Sequence, residues 1–304
     1  LLLFVDWMRR FYRPLQDLSA KYSVMQSSMA SLERVFQLLD IEAERAEPES
    51  ASGPRKIRGE IVFENVNFAY EAQPILKNLS FRVAPGERVA LVGHTGAGKT
   101  TVLKLLARMY EPQSGRILID GTDIRDIPRA ELRRHMAFVL QDVFLFTGDL
   151  AYNVSLGRPE ITAAEIESAA RTVHLEEFVR RLPLGYAQPV HERGQNFSVG
   201  ERQLLSFARA LAQKPEILLL DEATSSVDTE TEALIQDALH TLLSGKTSIV
   251  VAHRLSTIQD VDRIHVLHHG ELRESGRHED LLAQRGLYWR LYQLQYAVQA
   301  RSAA

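Results

Sequence analysis

The run Gly93-His94-Thr95-Gly96-Ala97-Gly98-Lys99-Thr100-Thr101 limits what this chain can fold into more than any other segment. The apolar stretch Val89-Ala90-Leu91-Val92 leads into it, and Val102, Leu105, Leu106 and Met109 follow at helical spacing. It therefore reads as strand, glycine loop and helix start, the setting of a phosphate cradle. Glycine permits positive φ and close backbone approach, so successive N–H groups can converge on an anion at a helix N-terminus whose dipole favours negative charge. Lys99 supplies a full charge for the β- and γ-phosphates of a nucleotide, and Thr100 a hydroxyl for Mg²⁺. From composition alone the four fixed positions arise in about one chain per hundred of this length, and the flanking strand and helix reduce that chance much further.

A cradle says nucleotide without saying what is done with it. Ile217-Leu218-Leu219-Leu220-Asp221-Glu222 is an apolar strand ending in two carboxylates. Such a strand suits the centre of a parallel sheet covered on both faces, and ligands sit at the carboxyl ends of those strands. Asp221 is then placed for Mg²⁺, directly or through water, and Glu222 for the water that attacks a γ-phosphate. The bland reading of the pair is a helix cap with a first-turn acid; beside the cradle it is the weaker one.

Gly194-Gln195-Asn196-Phe197-Ser198-Val199-Gly200-Glu201-Arg202-Gln203 precedes a helix marked by Leu204, Leu205, Ala208 and Leu211. With this segment the chain resembles the nucleotide-binding domain of ABC transporters, whose LSGGQ signature stands here as Phe197-Ser198-Val199-Gly200-Glu201. The resemblance implies roles for further residues. Tyr70 matches the aromatic that stacks on adenine, Gln141 the glutamine that senses Mg²⁺ and water, Asp228 the loop that crosses a dimer interface, and His253 the histidine that contacts the γ-phosphate. Taken singly each has an ordinary reading: a packed strand aromatic, a surface amide, a histidine at a strand end. Val190-His191-Glu192-Arg193-Gly194 and Phe144-Leu145-Phe146 resemble the exporter segment before the signature and the aromatic patch that receives the membrane part.

Two positions depart from the family. Val199 stands for a glycine, and a β-branched residue resists positive φ; Glu201 stands for a glutamine and brings a carboxylate toward a polyphosphate. Ser198 and Gly200 remain as the expected donors. In the family the signature serves the partner's nucleotide, each ATP lying between the cradle of one copy and the signature of the other. An altered signature beside intact Glu222 and His253 fits a heterodimer, and a homodimer stays open.

With 304 residues and 45% hydrophobic content the chain can bury a full core. A net charge of −3 gives no footprint for nucleic acid. Zero cysteines exclude disulfides and thiolate metal sites. His268-His269 before Gly270 read as a hairpin approach and not as a metal site.

Near the amino end, Leu15, Leu18, Tyr22, Met25, Met29, Leu32, Phe36 and Leu39 recur at steps of three and four, one apolar stripe on a long helix starting near Pro14. Met and Tyr in the seam suit packing against unlike helices better than a two-stranded coiled coil. Leu1-Leu2-Leu3-Phe4-Val5, Trp7 and then Arg9, Arg10 and Arg13 resemble the cytoplasmic exit of a membrane helix, too short to span by itself.

The expected organisation is the cytoplasmic end of a last transmembrane helix at 1–42, a linker at 43–56 rich in Pro, Ser and charge, the ATPase domain at 57–297 with a helical subdomain about 142–213, and a tail at 298–304. The expected fold is α/β: a P-loop core with a parallel sheet, an antiparallel β subdomain with its alternation broken near Asn65, and a helical signature subdomain with a capping box from Thr162 to Glu165. Through the resemblance, the function expected is the ATP- and Mg²⁺-dependent motor of an exporter, working with a second such subunit and the membrane part of its own polypeptide, on the cytoplasmic side of a cell inner membrane. The alternatives are a soluble ATPase of the same type and the regulatory half of a heterodimer. A P-loop phosphotransferase would lack the signature.

Overall fold

The structure, a computed structural model, describes residues 1–40, 56–71, 73–140, 142–221, 229–252 and 260–302. The chain divides into two units, Leu1–Glu47 and Pro48–Ala304. The first carries helix α1 (Leu2–Leu39). The helix start expected near Pro14 needs correction, because Pro14 lies inside α1. A proline ring removes one i→i−4 bond, and the strong helix formers around it (Met8, Arg9, Arg10, Leu15, Gln16) carry the helix through. Leu15, Leu18, Tyr22, Met25 and Met29 are exposed along it. No helix among the described residues is long and apolar enough to cross a membrane.

The second unit opens with β1 (Ile61–Tyr70) and β2 (Gln73–Val83), an antiparallel pair. Asn65 has φ 48°, and the register shifts between Phe63 and Val66, so the break in alternation is a bulge. Then come β3 (Arg88–Val92), α2 (Lys99–Leu106), β4 (Ser114–Ile119), β5 (Thr122–Asp123), α3 (Arg129–Arg134) and β6 (Met136–Val139). The helical stretch holds a small β7 (Gly148–Asp149), α4 (Leu150–Ser155), α5 (Ala163–Thr172), α6 (Leu175–Arg181), β8 (Pro189–Val190) and α7 (Val199–Ala212). The Thr162–Glu165 capping box opens α5. The chain closes with β9 (Ile217–Asp221), α8 (Thr229–Leu243), β10 (Thr247–Val251), β11 (Arg263–His268), β12 (Glu271–Gly276), α9 (His278–Gln284) and α10 (Leu287–Ser302). The last helix runs across the boundary expected at 297, so the tail is helical as far as Ser302.

One sheet has the order β2-β1-β4-β5 and is antiparallel; the larger has the order β12-β11-β3-β10-β9-β6 and is parallel except for β12. The continuous apolar strands divide their side chains between two cores. Ile217 and Leu219 of β9, Val89 and Leu91 of β3 and Ile249 and Val251 of β10 face the core shared with the antiparallel sheet and α2. Leu218, Leu220, Ala90, Val92 and Val250 face the core under the helical stretch. Period-two alternation in a strand buried on both faces produces this division. His269 (φ 50°) and Gly270 (φ 83°) make the turn between β11 and β12, the hairpin read from the sequence.

Candidate functional site

β3 is buried beyond Arg88 and delivers the chain to Gly93 at the carboxyl end of the sheet. A Cβ at Gly93 would lie 2.2 Å from the Leu267 carbonyl oxygen, so this position admits glycine alone. Gly98, at φ 100°, is the N-cap of α2, and that left-handed conformation is again glycine's. Thr101, Val102, Leu103, Leu105 and Leu106 are buried and hold α2 against the sheet. Its N-terminus, with its unpaired amides and positive dipole end, is thus fixed beside the loop. The Lys99 ammonium donates to the carbonyls of Gly93 (2.7 Å) and His94 (3.1 Å), which sets the charge inside the loop.

Thr100 Oγ1 donates to Asp221 Oδ1 at 3.1 Å, joining the cradle to the carboxylate at the end of β9. These are two of the three groups expected at Mg²⁺, Gln141 being the third: a hydroxyl and a carboxylate, hard oxygen donors that suit a small divalent cation whose remaining positions are filled by phosphate and water. Gln141, Glu222, Asp228 and His253 lie outside the described residues. The strands that lead to three of them are level with one another: Val251 pairs with Asp221 and with Leu91, Val139 with Leu220, and Val266 with Val92. Among the described residues, no group of three or more His, Cys, Asp or Glu is arranged to hold a metal by protein ligands alone.

Tyr70 at the end of β1 meets Tyr110 edge-on at 5.1 Å and Phe68 at 4.9 Å, and the Lys104 ammonium of α2 lies 5.9 Å from its ring centre. α2 therefore brings the aromatic and the cradle to one side of the domain. Tyr110 carries little signal in the sequence. It follows α2 just past Arg108 (φ 51°), a position whose only signal is an aromatic after a helix end. The His94 ring lies 6.3 Å from that of His268, which in turn packs on His269 at 4.2 Å. Desolvation and then these neighbouring imidazoles push the His268 pKa down.

Ser198 caps α7, and the expectation about Val199 is corrected here. Val199 is the first residue of the helix and is not among the positive-φ residues, so its branched Cβ meets no left-handed strain. Glu201 takes part in the same cap. It completes a capping box: its backbone N–H donates to Ser198 Oγ (3.2 Å) and its carboxylate accepts from the Ser198 N–H (2.7 Å). Ser198-x-x-Glu201 has the capping-box spacing. Phe144 and Phe146 are half-exposed, edge-on at 5.0 Å, with Leu145 fully buried between them.

A family profile described as ABC transporter matches residues 76–225. The chain is 47% identical, over 97% of its length, to an uncharacterized ABC transporter ATP-binding protein, YfiC, of Bacillus subtilis (strain 168), and covers 49% of that protein. It is 49% identical, over 95% of its length, to a fatty acid ABC transporter ATP-binding/permease protein of Mycobacterium bovis, covering 46% of it. The chain spans about half the length of the curated relatives it matches. Among solved structures, one of a bacterial Atm1-family ABC exporter with ATP bound matches over 100% of this chain and 52% of the other, at 42% identity and a TM-score of 0.79.

Proposed function

Since the chain belongs to the ABC transporter family and is an ABC-type, ATP-binding ATPase, we propose that it is the motor of an exporter, in which ATP binding pairs two such domains and hydrolysis separates them. The observation that carries this is the likeness to an exporter over the whole chain, α1 included. The ATP-binding/permease organisation named for a relative favours the same reading over a soluble ATPase.

In this reading Lys99 and the loop amides of Gly93 to Thr101 bind the β- and γ-phosphates, and Tyr70 with Tyr110 stacks on adenine. Thr100 and Asp221 hold Mg²⁺, which when bound neutralises charge on the phosphates. Gln141 orients the attacking water, Glu222 takes its proton as it adds to the γ-phosphorus, and His253 donates to the γ-phosphate oxygens as the bond to the β-phosphate oxygen breaks. Ser198, Val199, Gly200 and Glu201 of one copy face the nucleotide of the other, and Asp228 lies at the seam between them. The partner is a second subunit of this kind, identical or different. Phe144 and Phe146 receive the membrane part, with the domain on the cytoplasmic side of a cell inner membrane.

Replacing Glu222 by Gln should leave ATP binding intact and lower turnover by about 10²- to 10⁴-fold, the usual contribution of a positioned base. Steady-state phosphate release at saturating Mg-ATP measures it, and near-native turnover would remove Glu222 from the mechanism.

A further inference from the structure

Arg209 lies on α7, eleven residues beyond Ser198, about 16 Å along the axis at 1.5 Å per residue. Its Nε donates to the Asn153 carbonyl (2.8 Å), one terminal nitrogen to the Phe144 carbonyl (3.1 Å) and the other to Asn153 Oδ1 (3.4 Å). Asn153, 1% exposed, extends the network. Its Oδ1 accepts from the Phe146 N–H (2.8 Å), and its Nδ2 donates to the carbonyls of Phe146 (2.8 Å) and Asp149 (3.0 Å). Every hydrogen bond that Arg209 makes among the described residues goes to an amide or carbonyl oxygen, and burial pushes its guanidinium down to about 10. A partly desolvated charge without a counter-charge is unfavourable, and an apolar side chain of similar volume would fill the space with less penalty. What the guanidinium does and an apolar chain would not is hold three oxygens, the Phe144 carbonyl of the loop and two on Asn153 of α4, in a fixed fork.

The other end of α7 is tied in the same manner. Arg202 donates to the carbonyls of Phe197 (2.8 Å) and Gly194 (3.4 Å), just before Ser198. Leu145, between the two exposed phenylalanines, packs where a Cβ on Gly194 would come within 2.6 Å of it.

We propose that Arg209, together with Asn153, is a positioning residue that makes the Phe144–Phe146 loop and the Ser198 end of α7 one rigid lever, so that displacement of the aromatic pair moves the signature. This rests on the reading above, in which the aromatic pair faces the membrane part and Ser198 faces the partner's ATP. Helix α7 is the beam, and two arginines two turns apart are its fastenings, Arg209 to Phe144 and Asn153 and Arg202 to Gly194 and Phe197 at the start of the signature.

The test uses the complete membrane-embedded polypeptide in lipid nanodiscs, reading kcat and KM for ATP, and hydrogen exchange at 144–153 and at 194–201. Arg209→Met should lower kcat at least tenfold, keep KM within about twofold, and raise exchange in both segments. Asn153→Ala should do the same, and the double variant should be no worse than either single one, because the two act as a unit. Raised exchange confined to 144–153 with unchanged kcat would overturn the proposal, leaving Arg209 as an anchor of the loop alone. If Arg209→Met does not fold, Arg209→Lys decides: it keeps the charge but cannot fork across three oxygens, so a lowered kcat with exchange raised in both segments supports the lever and an unchanged kcat overturns it. Phe144→Ala with Phe146→Ala separates the two readings. Unchanged kcat in that variant removes the membrane-facing role and the lever with it, whereas a lowered kcat there beside an unchanged one in Arg209→Met sinks the lever alone.

Discussion

Thr100 and Asp221 share a hydrogen bond across 121 positions of sequence, and the aromatic wall is likewise assembled from distant residues. Tyr70 was legible through the family resemblance; Tyr110 was not, because its place depends on the end of α2 meeting the end of β1. Tyr70→Ala should weaken ATP by about 1 to 3 kcal/mol, the worth of one base stacked on an aromatic, and leave inorganic triphosphate unaffected. Calorimetry with both ligands checks it, and equal losses would exclude stacking. His265 is buried against Phe81, and neither ring nitrogen finds a partner among the described residues. Burial lowers its pKa to about 4 from an ordinary 6.5. Above pH 6.5 it is neutral folded and unfolded and adds no pH dependence. As the pH falls toward 4 the unfolded chain takes the proton first, so stability is lost across that window, by about 2 to 3 kcal/mol between pH 7 and 4.5. His265→Phe should remove this part of the acid sensitivity, read as the difference between variant and parent in urea unfolding at the two values. An identical pH slope in both proteins would refute it.

Among the elements, α7 combines structural and functional demands at its first turn. Ser198 and Glu201 satisfy each other's amides, so the carboxylate that looked out of place before a polyphosphate stabilises the helix. Ser198→Ala should therefore cost about 0.5 to 2 kcal/mol of stability, measured by denaturant unfolding. Glu201→Gln should cost little, because an amide oxygen can accept the same bond while the charge is lost. A large loss in the Gln variant would mean that the charge and its interaction with the helix dipole, not the bond, matters. Thr162–Glu165 and Ser198–Glu201 share one spacing and one physics, and both close their helix starts in the same way. α1 departs from its local signal: Pro14 is a common first-turn residue, yet here it sits within a continuous helix, because flanking propensity outweighs one missing bond.

For the molecule as a whole, the nucleotide is expected to decide assembly. Glu222→Gln with ATP should shift the protein from monomer toward dimer, since the hydrolysis that parts the two copies is blocked. Glu201→Gln should strengthen that dimer by removing a negative charge from the face presented to the partner's phosphates. Sedimentation with and without ATP reads both, and a Glu222→Gln protein that stays monomeric with ATP, with and without Glu201→Gln, would contradict the shared-site reading. The sequence by itself determined the cradle, the strand alternation, the bulge at Asn65, the hairpin at His269-Gly270 and the order of the motifs. Each is local: a backbone conformation that only glycine adopts easily, a period of two, a turn residue at a set offset. Tertiary structure alone decided that Thr100 meets Asp221, that Tyr110 joins Tyr70, and that the partly buried Arg209 ties Phe144 and Asn153 instead of pairing with a surface carboxylate. Those outcomes depend on which faces of which elements meet, and hydrogen-bond partners and burial across such separations are set by packing, which no local pattern encodes.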